Sequence, residues 1–319
     1  MANRIEVKTG IGTDVYRPSG LATEVSGRDV RGAEKWRDER AGCGNPTCTR
    51  GWLRFLKDRR RPVFEGQWGC SIECVQAIVG AAVRRELGEG HVAEEDPNHM
   101  HRVPLGLVLL AQGLITKPQL QQALDAQRRA GHGRIGSWLV AECGLKEERV
   151  TRALGLQWNC PVLPMEGFDP AAMARLAPKV LVERVGMVPL RIAAGRILYL
   201  AFEDHLDASA AFAMERMSGL KVESGLVDGV QLKTARQRLC ECEFVDAAFE
   251  PVADIDDMLG KITLMLGKLQ PRASRLVRVH QFYWLRMWLE TGAMSTRDGG
   301  VPVSREDVVD RIYSMGFES

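Results

Sequence analysis

The sequence of 319 residues contains no long apolar run. No stretch of about 18 consecutive apolar residues occurs, so we expect no membrane-spanning helix. The N-terminus also has no apolar segment of the kind that forms the centre of a secretory signal. With 45% hydrophobic and 26% charged residues, the composition is typical of a soluble globular protein. We therefore expect a cytoplasmic protein.

Net charge is almost absent as well. The 43 basic and 41 acidic residues leave a formal charge of +2, which provides no general attraction to nucleic acid or to an anionic membrane. A local basic run, Lys57 with Arg59, Arg60 and Arg61, could contact nucleic acid, but such a run is more commonly a solvated surface. The charge balance therefore argues against nucleic acid as the partner.

Motifs of the common catalytic sites are missing. No Gly-x4-Gly-Lys-Ser/Thr phosphate loop occurs, because Gly260-Lys261 and Gly267-Lys268 are followed by Ile262 and Leu269. We interpret these two segments as parts of an amphipathic helix. Paired carboxylates at a convincing spacing and a nucleophile elbow are also absent, and the six histidines form no evident site. The sequence therefore predicts a protein that is not an enzyme and does not hydrolyse ATP.

Eight cysteines in a chain of this length do not predict a disulfide framework. Four of them are clustered near the N-terminus: Cys43, Cys48, Cys70 and Cys74. Short Cys-to-Cys loops supply zinc with its four ligands two at a time, and four thiolates close the coordination shell. The segment from Trp68 to Cys74 also resembles the second half of treble-clef zinc fingers. We interpret the cluster as a structural zinc site; the alternative is four unconnected thiols.

Two consecutive stretches of the chain, residues 102–128 and 132–158, share one pattern of glycine, leucine, alanine and glutamine. A shift of 30 positions superposes them without a gap and aligns Gly106 with Gly136, Leu109 with Leu139 and Gln127 with Gln157. A helical core explains repeated leucines. It does not explain a glycine near the start and a glutamine at the end of each copy. We therefore interpret the pair as a site with twofold symmetry.

Each copy has the pattern of two short helices joined by a tight turn. In the first copy Gly113 suits a left-handed helix end, and Thr116 followed by Gln119 is a capping box that starts the next helix. In the second copy the turn glycine comes one place later, at Gly144, and Lys146 occupies the cap position. We expect the two copies to differ at this turn.

The expected fold class is α+β and mainly helical. Residues 1–40 are polar without periodicity and are predicted to be a flexible arm. Residues 41–87 are predicted to form the zinc module with a helix, and 88–101 a linker.

Residues 102–228 combine the tandem repeat with a small α/β unit at 159–228. Two strands, Met187–Ile192 and Ile197–Phe202, and a third, Leu220–Val227, are predicted in that unit. Residues 229–319 are predicted to be helical. Their longest helix is expected from about Pro271 to Thr291, because its aromatic and aliphatic residues form a broad stripe.

Residues 102–228 resemble the N-terminal, MshEN-type domain of type II secretion and type IV pilus assembly ATPases. The hallmark of that family is a tandem motif of Arg-Leu-Gly, spaced leucines or valines, a Gly-Leu-Ile turn and a closing glutamine. The second copy matches from Arg134-Ile135-Gly136 to Gln157, and the first from Leu105-Gly106 to Gln127. The segment Ala201–Asp204 resembles the Ala-x-x-Asp-Pro segment of the family, with His205 replacing the proline.

The resemblance implies a ligand as well as a partner. In that family the tandem motif can bind cyclic di-GMP, and the partner is a protein of the secretion or pilus machinery. The ligand-binding residues that it implies are Arg102, Leu105, Gly106, Leu109, Gln127, Arg134, Ile135, Gly136, Leu139, Gln157 and Asp204. Arginine can stack on guanine and donate to it, glycine lets backbone amides approach phosphate, and glutamine offers both a donor and an acceptor.

Two departures from the motif leave two functions open. The first copy has Pro104 in place of the arginine, with Arg102 two residues upstream, and the second has Cys143-Gly144 in place of Gly-Leu. One lost charge-assisted contact costs about 1.5–3 kcal/mol. The sequence therefore predicts either a signalling adaptor that binds cyclic di-GMP, or a module that docks onto a secretion or pilus protein without a nucleotide.

Overall fold

The computed structural model describes residues 43–49, 61–89, 102–290, 301–302 and 304–315. The predicted arm at 1–40 lies outside the described residues, and so does the linker except for its first two positions. Of the basic run, only Arg61 is described.

The cysteine-containing segment forms a hairpin followed by a long helix. Strand β1 (Val63–Phe64) pairs antiparallel with β2 (Gln67–Trp68). Glu65 and Gly66 between them have positive φ angles of 48° and 75°, as the tight primed turns of hairpins require. Helix α1 (Ile72–Glu89) follows, and its end lies inside the predicted linker.

The tandem repeat forms four helices, which are α2 (Leu105–Ala111), α3 (Lys117–Ala130), α4 (Ile135–Cys143) and α5 (Glu147–Trp158). The predicted capping box is confirmed, since the Thr116 N–H donates to Gln119 Oε1 at 2.9 Å and the Gln119 N–H donates to Thr116 Oγ1. Helix α3 packs on α4, and α2 packs on α5. The first helix of each copy thus packs on the second helix of the other copy, an arrangement with pseudo-twofold symmetry.

The predicted α/β unit is present after the tandem helices. Its elements are α6 (Pro170–Met173), α7 (Lys179–Val185), β3 (Val188–Ala193), β4 (Ile197–Phe202), α8 (Ala208–Ser218) and β5 (Lys221–Leu226). Strand β4 is central, antiparallel to β3 and parallel to β5. Asp207 caps α8, and Gly219 ends it with a left-handed φ of 70°. The three predicted strands are therefore confirmed.

The C-terminal part combines two helices with a four-stranded sheet. The elements are α9 (Gly229–Cys240), β6 (Asp246–Val252), α10 (Ile255–Leu269), β7 (Ala273–Val279), β8 (Phe282–Trp288) and β9 (Val308–Met315). The strand order is β6-β9-β8-β7, with β6 parallel to β9 and the other pairs antiparallel. The segments around Gly260-Lys261 and Gly267-Lys268 lie on α10, as predicted.

The predicted helix from Pro271 to Thr291 is wrong. That segment is the hairpin of β7 and β8, so within the described part of 229–319 the helical prediction holds only for α9 and α10. The error has a physical reason, because a spacing of four residues places Trp284 and Trp288 on one face of a helix and also on one face of a strand. Every residue of β8 is buried, so the alternation of apolar and polar residues that usually distinguishes a strand from a helix is missing.

Both faces of the C-terminal sheet are covered. One face packs on the α/β unit, and the other packs on α1 and α10. Side chains of the first face include Val277, Trp284 and Ile312, and those of the second include Leu276, Leu285 and Tyr313. The cysteine-containing segment and the sheet therefore share one hydrophobic core.

A buried ion pair crosses the centre of this sheet. Arg286 and Asp310 are both fully buried and are direct neighbours on β8 and β9. Arg286 donates through Nε and Nη2 to the two carboxylate oxygens of Asp310 at 2.9 and 2.8 Å, and through Nη1 to the Leu176 carbonyl at 3.0 Å. Trp284 Nε1 donates to Asp310 at 2.9 Å. Every polar atom of the carboxylate is thus satisfied, as burial of a charge requires.

Candidate functional sites

The four clustered cysteines form a compact thiol cluster. Cys43 and Cys48 lie on the segment 43–49, Cys70 lies between β2 and α1, and Cys74 lies in the first turn of α1. Their four sulfur atoms are all within 4.8 Å of one another. The alternative of four unconnected thiols is therefore wrong.

The spacing of the sulfur atoms fits a metal ion. The Cys48 and Cys70 sulfurs are 3.4 Å apart, and those of Cys70 and Cys74 are 3.6 Å apart. Metal–sulfur bonds of about 2.3 Å in a tetrahedron place sulfur atoms about 3.8 Å apart. Because no two of the four sulfur atoms are more than 4.8 Å apart, a metal ion fits after shifts of no more than about 1 Å.

Polar groups around the cluster favour thiolate sulfur. Asn45 Nδ2 donates to Cys74 Sγ at 3.3 Å and lowers the pKa of Cys74 to about 6. The backbone N–H of Cys70 donates to Cys43 Sγ at 3.4 Å. Burial and the neighbouring thiols raise the pKa of Cys70 to about 12, because sulfur atoms this close cannot all ionise alone. A bound cation would remove that repulsion.

Gly69 gives the cluster its tight turn. A side chain there would place a Cβ atom 2.6 Å from the backbone nitrogen of Val75, which is far inside van der Waals contact. Only glycine therefore lets the chain carrying Cys70 approach the start of α1 so closely.

The repeated glutamines hold the two copies of the tandem repeat together. Gln127 Nε2 donates to the carbonyl of Gly133, and Gln157 Nε2 donates to the carbonyl of Val103, both at 2.7 Å. Gly133 and Val103 occupy equivalent positions, two residues before the first helix of each copy. Each copy therefore fixes the start of the other, which gives a physical account of the repeated glutamine.

The repeated glycines allow close helix packing. A Cβ atom at Gly106 would lie 2.7 Å from the Leu120 side chain, and one at Gly136 would lie 2.8 Å from the equivalent Val150 side chain. The leucines of the motif fill the same core, and the side chains of Leu109 and Leu139 are fully buried. Leu105 is also buried there, while Ile135 at the start of α4 is half-buried. These predicted ligand residues thus pack the four helices.

The charged residues of the predicted site lie at the surface beside the α/β unit. Arg134 precedes α4 and forms a salt bridge with Asp204, which follows β4. Asp204 also accepts from His205 Nδ1 at 2.6 Å. The pairing brings two predicted residues together, and it attaches the second copy to the loop after β4.

Trp158 also belongs to this site and was not predicted from the sequence. The Trp158 ring contacts Arg102, whose guanidinium carbon lies 3.5 Å from the ring centroid, and its centroid is 6.3 Å from that of His205. Trp158 therefore connects the start of the first copy to the Asp204 loop. A signal existed in the sequence, because Trp158 directly follows Gln157.

Pro104 stands where the second copy has Arg134, and its φ of −54° is that of a helix start.

A second ionic contact joins the loop after β4 to the C-terminal sheet. His280, at the turn between β7 and β8, donates from Nε2 to Asp207 Oδ2 at 2.5 Å. This hydrogen bond raises the pKa of His280, against the effects of burial and of Arg278 and His205. Although burial acts in the other direction, the same bond lowers the pKa of Asp207.

The contact predicts a pH-dependent stability. Because the folded-state pKa of His280 is raised above 6.5, its contribution is complete below that pH and is lost as pH rises through the raised value. The thermal midpoint of the native chain should therefore fall relative to that of His280→Gln between about pH 6 and pH 8. Calorimetric scans across that range measure the difference, and parallel curves for the two proteins would contradict the assignment.

No protein-family model matches the chain. Over 135 residues it is 29% identical to the type IV pilus assembly ATPase PilB of Myxococcus xanthus (strain DK1622), and the match covers 42% of this chain and 24% of PilB. The chain thus spans about a quarter of the length of this curated relative.

Two solved structures are also similar to the chain. MshE with cdg is 27% identical with a TM-score of 0.36, covering 43% of this chain and 99% of that one. The N-terminal domain of XpsE is 17% identical with a TM-score of 0.32, covering 46% and 97%.

The similarity to PilB agrees with the tandem motif. The chain carries a domain similar to the MshEN-type N-terminal domain of type II secretion and type IV pilus ATPases. Among the described helices, none has both the length and the apolar character needed to cross a bilayer.

Proposed function

We propose that this chain is a non-catalytic cytosolic adaptor of a type II secretion or type IV pilus system, and that its tandem helices bind cyclic di-GMP. The observation that carries the proposal is the reciprocal pair of glutamine contacts from Gln127 and Gln157. These contacts set the starts of α2 and α4 in equivalent positions, which suits a ligand with two equivalent halves. The similarity to a pilus assembly ATPase supports the choice of system.

Two arginines, Arg134 and Arg102, supply the chemistry for guanine recognition. About two thirds of the Arg134 side chain is exposed, and Asp204 orients its guanidinium. In this proposal Arg134 donates to one base. Arg102 takes the role of the arginine that Pro104 replaces in the first copy, and its stacking on Trp158 provides a flat surface for the other base.

Nucleotide-independent docking is a second candidate function, favoured by exposed apolar side chains. Val103, Leu107 and Leu156 are 56%, 51% and 63% exposed, on or beside helices α2 and α5, which pack together. Apolar side chains exposed on neighbouring helices can be covered by a protein partner. The docking function requires no ligand at Arg134.

Titration calorimetry with the whole chain separates the two functions. A fragment of residues 102–228 is unsuitable, because its core includes Val277, Trp284 and Ile312 of the C-terminal sheet. We expect cyclic di-GMP to bind with a dissociation constant well below about 1 mM, which corresponds to about −4 kcal/mol. Cyclic di-AMP is the control, since it differs at the bases. Affinity weaker than about 1 mM would leave docking as the function.

We also propose that the thiol cluster holds structural zinc. Four cysteines close the coordination shell, so no position remains for a catalytic water. The residues that would hold the ion are Cys43, Cys48, Cys70 and Cys74.

A further inference from the structure

The thiol cluster lies at the end of a helix that covers the C-terminal sheet. Cys74 directly precedes Val75, and one side of α1 packs against α10 and against β7. Buried side chains on that side of α1 are Val75, Ile78, Val79, Ala82 and Val83. Their partners include Met258, Ile262 and Leu266 on α10 and Leu276 and Leu285 in the sheet.

The hairpin between the two cysteine pairs covers an edge of the same sheet. Strand β7 is the edge strand, and β1 lies along it. The Val63 N–H donates to the Pro271 carbonyl at 3.0 Å, and the Glu65 N–H donates to the Ser274 carbonyl at 2.8 Å. Ser274 Oγ donates back to the Val63 carbonyl at 2.9 Å. An open strand edge is thereby closed.

A buried carboxylate connects the helix, the hairpin and the strand. Glu86 is 3% exposed, and its Oε2 accepts from the backbone N–H of Arg278 on β7 at 2.9 Å. Its Oε1 accepts from Arg85 Nε at 3.0 Å, and Arg85 in turn pairs with Glu65 of the hairpin turn at 2.6 Å. The position of α1 is therefore tied to that of β7 by hydrogen bonds as well as by packing.

The hairpin is too small to hold this position by itself. Each of its strands has two residues, and segments of this size usually depend on a metal or a disulfide for their order. Two cysteines lie on each side of the hairpin in sequence, and the Gly44 N–H beside Cys43 donates to the Trp68 carbonyl of β2 at 2.9 Å. A metal bound to all four cysteines would therefore hold β2 and the first turn of α1 together.

We propose that the thiol cluster is a metal-dependent lock on the C-terminal sheet. Bound metal holds β1 and α1 over the edge of β7 and over one face of the sheet, and loss of the metal uncovers both. The inference rests on the proposed zinc, and it is independent of the proposed nucleotide.

Hydrogen exchange of the whole chain, with and without zinc, tests the lock. After chelation we expect the amides of β7 to lose protection by about tenfold or more, and to regain it when zinc is returned. The amides of β4, which lie in the α/β core, should keep their protection. Cys48→Ser should reproduce the effect of chelation, whereas Cys242→Ser, at a half-buried cysteine outside the cluster, should not.

Metal analysis of the same samples distinguishes the outcomes. Less than about half an equivalent of zinc in the purified chain would overturn both the metal site and the lock. A full equivalent whose removal leaves β7 protected would overturn the lock alone. Equal loss of protection in β4 and β7 would show general unfolding, which also overturns a lock confined to the C-terminal sheet.

Discussion

Replacing Asp310 with alanine should lower the free energy of unfolding by about 3–5 kcal/mol. The carboxylate neutralises Arg286 at the centre of the C-terminal sheet, where both residues are fully buried. Its removal leaves an uncompensated guanidinium among apolar side chains and deprives Trp284 Nε1 of its acceptor. Urea denaturation followed by tryptophan fluorescence measures the change.

A matched control for this change is Asp246→Ala. Asp246 is an exposed aspartate on β6 of the same sheet, so its replacement should change stability by no more than about 0.5 kcal/mol. If Asp310→Ala does not fold, the double variant Arg286→Met with Asp310→Leu should recover much of the stability, because no charge is left buried. Equal stabilities for Asp310→Ala and Asp246→Ala would contradict the account of the buried pair.

Replacing Arg134 with alanine should weaken cyclic di-GMP binding about ten- to a hundredfold, because one lost charge-assisted contact costs about 1.5–3 kcal/mol. The fold should be retained, since the Arg134 side chain is mostly exposed and exposed ion pairs contribute little to stability. Calorimetry of the whole chain gives the dissociation constants, and a thermal scan verifies that the variant is folded.

Two further arginine variants make the result specific. Arg149→Ala removes an exposed arginine of α5 and should bind like the native chain. Arg102→Ala should have a smaller effect than Arg134→Ala, because Trp158 remains in that variant and still offers a flat surface to the second base. Equal dissociation constants for Arg134→Ala and Arg149→Ala would show that Arg134 does not contact the ligand.

Local signals in the sequence were sufficient for much of this fold. The capping box at Thr116 and Gln119 and the caps at Asp207 and Gly219 are formed by residues close in sequence, so their geometry follows from residue type. The repeat shift of 30 positions likewise identified equivalent helices before any contact was known. The cysteine spacing predicted the thiol cluster for the same reason, because short loops bring each pair together.

Contacts between distant segments could not be predicted from local signals in the sequence. The β7–β8 hairpin was predicted as a helix because burial on both faces, which depends on α1, α10 and the α/β unit, removes the alternation of a strand. The Trp158 contacts and the Arg134–Asp204 pair join segments that only folding brings together.

The sequence by itself therefore determined the turn and the capping box of the tandem repeat, the residues of the thiol cluster and the related domain family. Only the tertiary structure decided that the glutamines hold opposite copies, that the motif leucines are core, and that the cysteine segment covers a sheet about 200 residues later. The physical reason is that caps and loops depend on near neighbours, whereas burial depends on the whole chain.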